Sequence, residues 1–291
     1  MVGVPFERPE EFGNRSFLTE KELEARQNQA ARQQRLDNES FSVDKISADV
    51  IAMGDVGGPT SPPPHWLERG TPSRQSSLII DPPNGRMPAM TAEGRRRNES
   101  VKNTYVMYTG FNGVEDMGPY DRCITRGALG SMFPVVYNNG NQILQTPGYV
   151  VLRNEMIHET RIIPLDGRPH VSTGVKSYMG DSRGRWEGTT LVVHTTNFNG
   201  RTGAQGNGNL LMTSDALVLT ERFTRTDSET IQYEMTIADP KTWTRSWKVA
   251  FPLKRDPGYQ IFEYACHEGN HAMTNVLSAS RADEQRTTSQ R

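Results

Sequence analysis

The pentapeptide His267-Glu268-Gly269-Asn270-His271 carries the letters H-E-x-x-H, with which a zinc hydrolase holds its metal. In that chemistry the two histidines sit one helical turn apart and the glutamate activates metal-bound water. The setting here points elsewhere. Tyr259 to Cys266 read as a β-strand, and Gly269-Asn270 is a turn-forming pair that disfavours helix. No H-x-x-G-x-x-H extension follows, and Glu284 is the only later glutamate. The segment reads as a strand-end turn presenting His267 and Glu268. A metal-dependent hydrolase built on those residues is the third-ranked reading of the chain.

Further chemistry emerges when period-two alternation assigns strand faces. In 149–163, His158 shares the more apolar face with Val150, Leu152, Met156 and Ile162, while Arg153, Glu155, Glu159 and Arg161 take the other. In 217–225, Glu221 falls among Leu217, Leu219 and Phe223. In 230–238, Ile231, Tyr233, Met235 and Ile237 share an uncharged face. In 243–253, Arg245 falls among Trp243, Trp247, Val249, Phe251 and Leu253. An imidazole, a carboxylate and a guanidinium are thus expected to point inward, where a charge needs a partner or a function. One reading is a structural Glu221–Arg245 pair with His158 hydrogen-bonded nearby. The other is the polar floor of a mostly apolar small-molecule pocket. There His158 acts as general acid or base. Arg245 orients an anionic or carbonyl group, and Met156, Trp186, Tyr233 and Trp247 complete the substrate-binding wall.

Asp166 and His170 flank the turn Gly167-Arg168-Pro169, and Asp181, Arg183 and Arg185 fall in the next expected turn. His170 is either an idle loop residue or part of a barrel mouth with His267 and Glu268. His194 reads as structural. A metal needs His158, His170, His267 and a carboxylate to converge, which the spacing does not demand, so no metal or cofactor is expected. No nucleophile elbow, phosphate loop or dinucleotide fingerprint occurs.

The elements that must position these groups fall into two textures. Residues 19–37 read as a helical arm, opened by a Thr19/Glu22 capping box. Residues 52–75, centred on Pro62-Pro63-Pro64, read as a linker or wrapping loop, and 92–104 as a short helix. From 149 onward strands are expected at 149–163, 186–198, 216–225, 230–238, 243–253 and 259–266. Turns are expected at 164–167, 181–184, 226–229 and 255–258. With two strands from 105–148 the count reaches about eight, enough for a barrel around one small ligand.

Net charge is −1, which gives no electrostatic case for nucleic acid. No apolar run is long enough to span a bilayer. Two cysteines, Cys123 and Cys266, are too few for a disulfide scaffold; they either form one long-range bridge or remain unpaired core residues.

Four runs carry a resemblance: Asp121-Arg122-Cys123-Ile124-Thr125-Arg126-Gly127; Ile157 to His170, reading IHETRIIPLDGRPH; Gly180 to Gly188, reading GDSRGRWEG; and Tyr264-Ala265-Cys266-His267-Glu268-Gly269-Asn270. Together they resemble a family of uncharacterised bacterial proteins that often carry an export signal ahead of the region beginning here near Phe6-Glu7-Arg8-Pro9. The resemblance implies a trimmed periplasmic or secreted protein, with a cytoplasmic one as the alternative. It supplies no activity. The family commonly has Tyr where this chain has His271.

The expectation is therefore an all-β, antiparallel, barrel-like domain of lipocalin type at 101–280. An N-terminal helical arm and wrapping segment, 1–100, precedes it, and a disordered tail, 281–291, follows. The expected function is cofactor-free acid–base catalysis of the lyase, isomerase or cyclase type on a small, partly apolar molecule. His158, Asp166, His170, Glu221, His267 and Glu268 form its catalytic set. The alternative is a lipocalin-like binding protein without turnover. A homodimer stays open.

Overall fold

The computed structural model describes residues 3–37, 67–68, 70–102 and 110–289. The Pro62-Pro63-Pro64 segment lies outside them, as does 103–109 at the start of the region expected to hold two early strands. The chain divides into two compact units, 1–78 with 134–139 and 79–133 with 140–291.

In the first unit, helix α1 (Glu20–Asp37) starts where its cap chemistry says it should. Glu22 accepts from the Thr19 backbone N–H at 2.8 Å, and Thr19 Oγ1 accepts from the Glu22 N–H at 3.3 Å. These bonds satisfy amides that the first helical turn leaves without partners. Arg26 donates to the carbonyls of Ser73 and Gln75 at 2.9 and 2.7 Å, tying the helix to the 73–76 segment.

The second unit is mostly antiparallel β. A six-stranded sheet is built from β1 (Ile79–Asp81), β5 (Asp181–Glu187), β6 (Thr190–Thr196), β9 (Val218–Arg225), β10 (Thr230–Ala238) and β11 (Trp247–Lys254), in the order β1-β11-β10-β9-β6-β5. A three-stranded sheet comprises β2 (Asn141–Thr146), β3 (Tyr149–Asn154) and β4 (Thr160–Pro164), and a small hairpin comprises β7 (Gly203–Gln205) and β8 (Leu210–Met212). Helices α2 (Ala92–Ser100), α3 (Gly127–Met132) and α4 (Ala272–Ser289) complete it. Among the described residues the large sheet stays open, with β1 and β5 as edges, so the expected barrel closure is not found.

The alternation expected for β9 to β11 holds. Leu219, Glu221, Phe223, Tyr233, Met235, Ile237, Trp247, Val249 and Phe251 are all buried on one face, each apolar side chain contributing about 1.5–3 kcal/mol. Residues 226–229 form the expected turn, with Thr226 N–H donating to Thr230 O at 3.0 Å.

Four expectations change. The 149–163 strand breaks at 155–159, where Met156 and Ile157 turn into the core, with Ile157 at φ 59° and His158 at φ 42°. The break shifts the parity of the residues after it. Arg161 and Ile163 point inward and Ile162 is 63 % exposed, the reverse of the expected faces. The expected 181–184 turn is strand, because the real turn is Gly188-Thr189, between β5 and β6. Residues 259–265 form no strand; they lead into a turn at 266–269, and the tail expected to be disordered is helical through Ser289. Cys123 and Cys266 are bridged, with Cα atoms 5.7 Å apart.

Candidate acid–base site

The β5–β6 hairpin sets Arg183 opposite His194 and Asp181 opposite Thr196, so Asp181, Arg183 and His194 share the face of the large sheet that looks away from the core. The loop after β4 returns His170 over that face. His170 Nδ1 lies 2.8 Å from Asp181 Oδ2, and its Nε2 lies 3.0 Å from His194 Nδ1. A continuous line of hydrogen bonds runs Asp181–His170–His194, with the two rings 5.2 Å apart and tilted by 58°.

The loop is held in place by backbone contacts. Val171 N–H donates to Asp181 Oδ2 at 3.1 Å and Arg183 Nε to Pro169 O at 3.1 Å. Asn197 Nδ2 donates to the carbonyls of Val171, Ser172 and Val175. Arg183 Nη1 donates to the other Asp181 oxygen at 2.7 Å.

The electrostatics give the line a direction. Burial pushes the Asp181 carboxyl up, but hydrogen bonds from His170, Val171 N–H and Arg183 outweigh it and hold the group below the usual carboxylate range. Asp181 is thus an acceptor, and His170 Nδ1 carries a proton. In the tautomer where His170 Nε2 accepts from His194 Nδ1–H, the lone pair is left on His194 Nε2. Burial, then the nearby His170 and Arg185, lower the His194 pKa and so favour its neutral ring. His194 and His170 are half-buried, open enough to meet a small molecule.

Of the residues expected to act, only His170 belongs to this line. His158 is exposed, and its Nδ1 lies 3.3 Å from the Tyr264 carbonyl; the turn at 155–159 rotates it off the face that alternation assigned. Asp166 is exposed and paired with Arg168, which holds it down to about 2. His267 and Glu268 lie exposed in the turn before α4, not on one helical face, so the H-E-x-x-H letters lack the geometry that a zinc hydrolase requires. Among the described residues no group of three or more His, Cys, Asp or Glu is arranged to hold a metal ion.

Glu221 is buried as expected but pairs with Arg161 rather than Arg245, at 2.6 and 2.8 Å, and accepts from Tyr233 Oη at 2.7 Å. Burial, reinforced by the Glu221 charge, raises Tyr233 well above the usual phenol range and keeps it a neutral donor. Arg245 precedes β11 instead of lying in it and is exposed, paired with Asp81 at 3.0 Å. Met156 and Trp247 are core residues, and Trp186 is 46 % exposed at the end of β5. A shallow hollow of about 350 Å³ on α4, lined by Gly110, Ser280, Asp283, Glu284, Thr287 and Thr288, involves none of them.

Asp181 and His194 were legible in part. The run Asp181-Ser182-Arg183-Gly184-Arg185-Trp186-Glu187 alternates charged with uncharged residues, and Glu187-Gly188 is a turn signal. Pairing the two strands across that turn puts His194 beside Arg183. Compared with known proteins, the chain matches no family model, no curated protein and no solved structure.

Proposed function

We propose that the protein is an acid–base enzyme of the lyase, isomerase or cyclase type acting on a small, partly apolar molecule. The observation that carries this reading is the line Asp181–His170–His194 with its free-base end on the partly open sheet face. Asp181 fixes the tautomer and orientation of His170, and His170 fixes those of His194. His194 Nε2 takes a proton from substrate, the resulting imidazolium is stabilised through His170 by the Asp181 charge, and the same proton returns to the product. The cycle balances without redox change and calls for no cofactor. Exposed Val171 and Val175 on the loop that carries His170 offer apolar contact to the substrate. The bridge between Cys123 and Cys266, together with the four motif runs, supports an exported protein of the family they resemble, working in an oxidising compartment.

The test is exchange of carbon-bound protons. The full chain is incubated in deuterium oxide with a panel of small carbonyl and hydroxy compounds, and exchange or elimination is followed by NMR. Exchange should fall by about 10²–10⁴-fold in His194→Asn and His170→Asn. Its acid limb should lie below 6.5, because the His194 pKa is lowered from that value. Exchange that survives both substitutions would overturn the assignment. Ligand-observed binding with no exchange in the wild type would instead mark a binding protein.

A further inference from the structure

Among the described residues β2 is the outer strand of the three-stranded sheet, and residues 142–146 are exposed. Such an edge leaves every second residue's N–H and C=O without a ladder partner. Sheet edges are ordinarily blunted by a charge, a proline or a bulge. β2 has none of these. It reads Asn141-Gln142-Ile143-Leu144-Gln145-Thr146, and its ladder with β3 runs in unbroken register from Asn141↔Asn154 to Thr146↔Tyr149.

The solvent-facing side of this sheet adds a second observation. Residues directly opposite share a face, so Leu144, Val151 and Ile162 form one apolar row across the three strands. Leu144 is 46 % and Ile162 63 % exposed. The row ends abruptly at the open edge.

We infer that β2 pairs antiparallel with β2 of a second copy of this chain, about a two-fold axis through Leu144 that joins the two three-stranded sheets into one of six. An axis perpendicular to the sheet keeps equivalent faces on the same side. It sets Leu144 against Leu144 of the copy, Ile143 against Gln145, and Gln142 against Thr146. The apolar row then runs unbroken as Ile162-Val151-Leu144 and its mirror. The occupant follows from self-complementarity. An uncharged strand places no like charges opposite each other, its amides meet amide-compatible partners, and its leucine meets leucine. Arg153, on the same face, stands beside Gln142 and so lies nearest Thr146 of the copy rather than its own equivalent.

The full chain is tested by sedimentation equilibrium and native mass spectrometry from about 1 to 200 µM, the range suited to an interface at the small end of the scale, below roughly 1,200 Å². Wild type should be a concentration-dependent dimer. Leu144→Lys roots two lysine side chains with Cβ atoms about 5 Å apart across the axis and should weaken association at least tenfold with an unchanged melting temperature. Mixing Leu144→Lys with Leu144→Glu should restore the dimer. In a separate arm, Leu144→Cys should cross-link to its copy under mild oxidation. Gln142→Cys should not, because its two copies stand roughly 13 Å apart along the strands. A monomeric wild type, a Leu144→Lys variant that associates like wild type, or equal cross-linking at 142 and 144 would overturn the inference. The cross-linking arm decides the matter even if the lysine variant fails to fold.

Discussion

Glu221 takes a carboxylate to a site with no exposed surface, and the neighbouring side chains show why it can stay there. Arg161, 4 % exposed, meets it with two parallel hydrogen bonds, and Tyr233 adds a third. Burial pulls the guanidinium down, but the Glu221 charge more than compensates, and the pair remains ionic. Arg161 Nε has no hydrogen-bond partner, so the arrangement has little to spare. Glu221→Gln strands the Arg161 charge and should cost about 3–5 kcal/mol. For a unit of this size that is a drop in melting temperature of roughly 10 °C, measurable by calorimetry. The double replacement Arg161→Met with Glu221→Leu should recover much of the loss, since a buried pair is commonly no better than well-packed apolar side chains. A single variant that melts like wild type would show that water reaches the pair. That Glu221 would need a buried partner was legible from its place among Leu217, Leu219 and Phe223. Its partner was not, because the partner's face depended on a turn three residues upstream.

The same turn shows what element-scale patterns carry and where they stop. Alternation reads β9, β10 and β11 correctly because each runs eight or nine residues without interruption. It misreads 149–163 because two apolar residues, Met156 and Ile157, satisfy a strand pattern while filling the core from a turn. The β5–β6 hairpin was missed for the opposite reason: charged residues on its open face made a strand resemble a loop. Gly184 lies on the buried side of that hairpin. A Cβ there would fall 2.6 Å from Leu165 Cδ2 and 2.9 Å from Ile163 Cγ2. Gly184→Ala should therefore destabilise by about 1–3 kcal/mol, despite the entropy gained by removing a glycine. Residues 163–165 lead into the loop that carries His170. The variant should also perturb the imidazole NMR shifts of His170 and His194, an effect that a purely local clash would not produce. An unchanged melting temperature and unchanged imidazole shifts would mean that the crossing of β4 over β5 is looser than it looks.

At the scale of the whole molecule, the bridge between Cys123 and Cys266 closes a segment of 143 residues that contains every strand among the described residues except β1. The chain-entropy account gives such a closure about 5 kcal/mol. Cys266→Ser, or reduction, should shift the denaturant midpoint accordingly. The turn at 266–269 should loosen first, because Asn270 Nδ2 is tied to the Asp121 carbonyl at 2.8 Å beside the bridge. Hydrogen exchange around Asn270 would report it, and full protection there after reduction would count against the bridge as the anchor. Sequence alone left the pairing open, since two cysteines so far apart meet only through the fold.

That separation also sets a clock on biosynthesis. At roughly 5–20 residues per second, Cys123 waits about 7 to 30 s for its mate to be made. β1 waits longer still, because its neighbour β11 is among the last strands to appear. These 291 residues hold no third cysteine with which to mispair, so within them the hazard during those seconds comes from outside: a thiol on another chain, or an unsatisfied strand edge on a neighbouring ribosome's product.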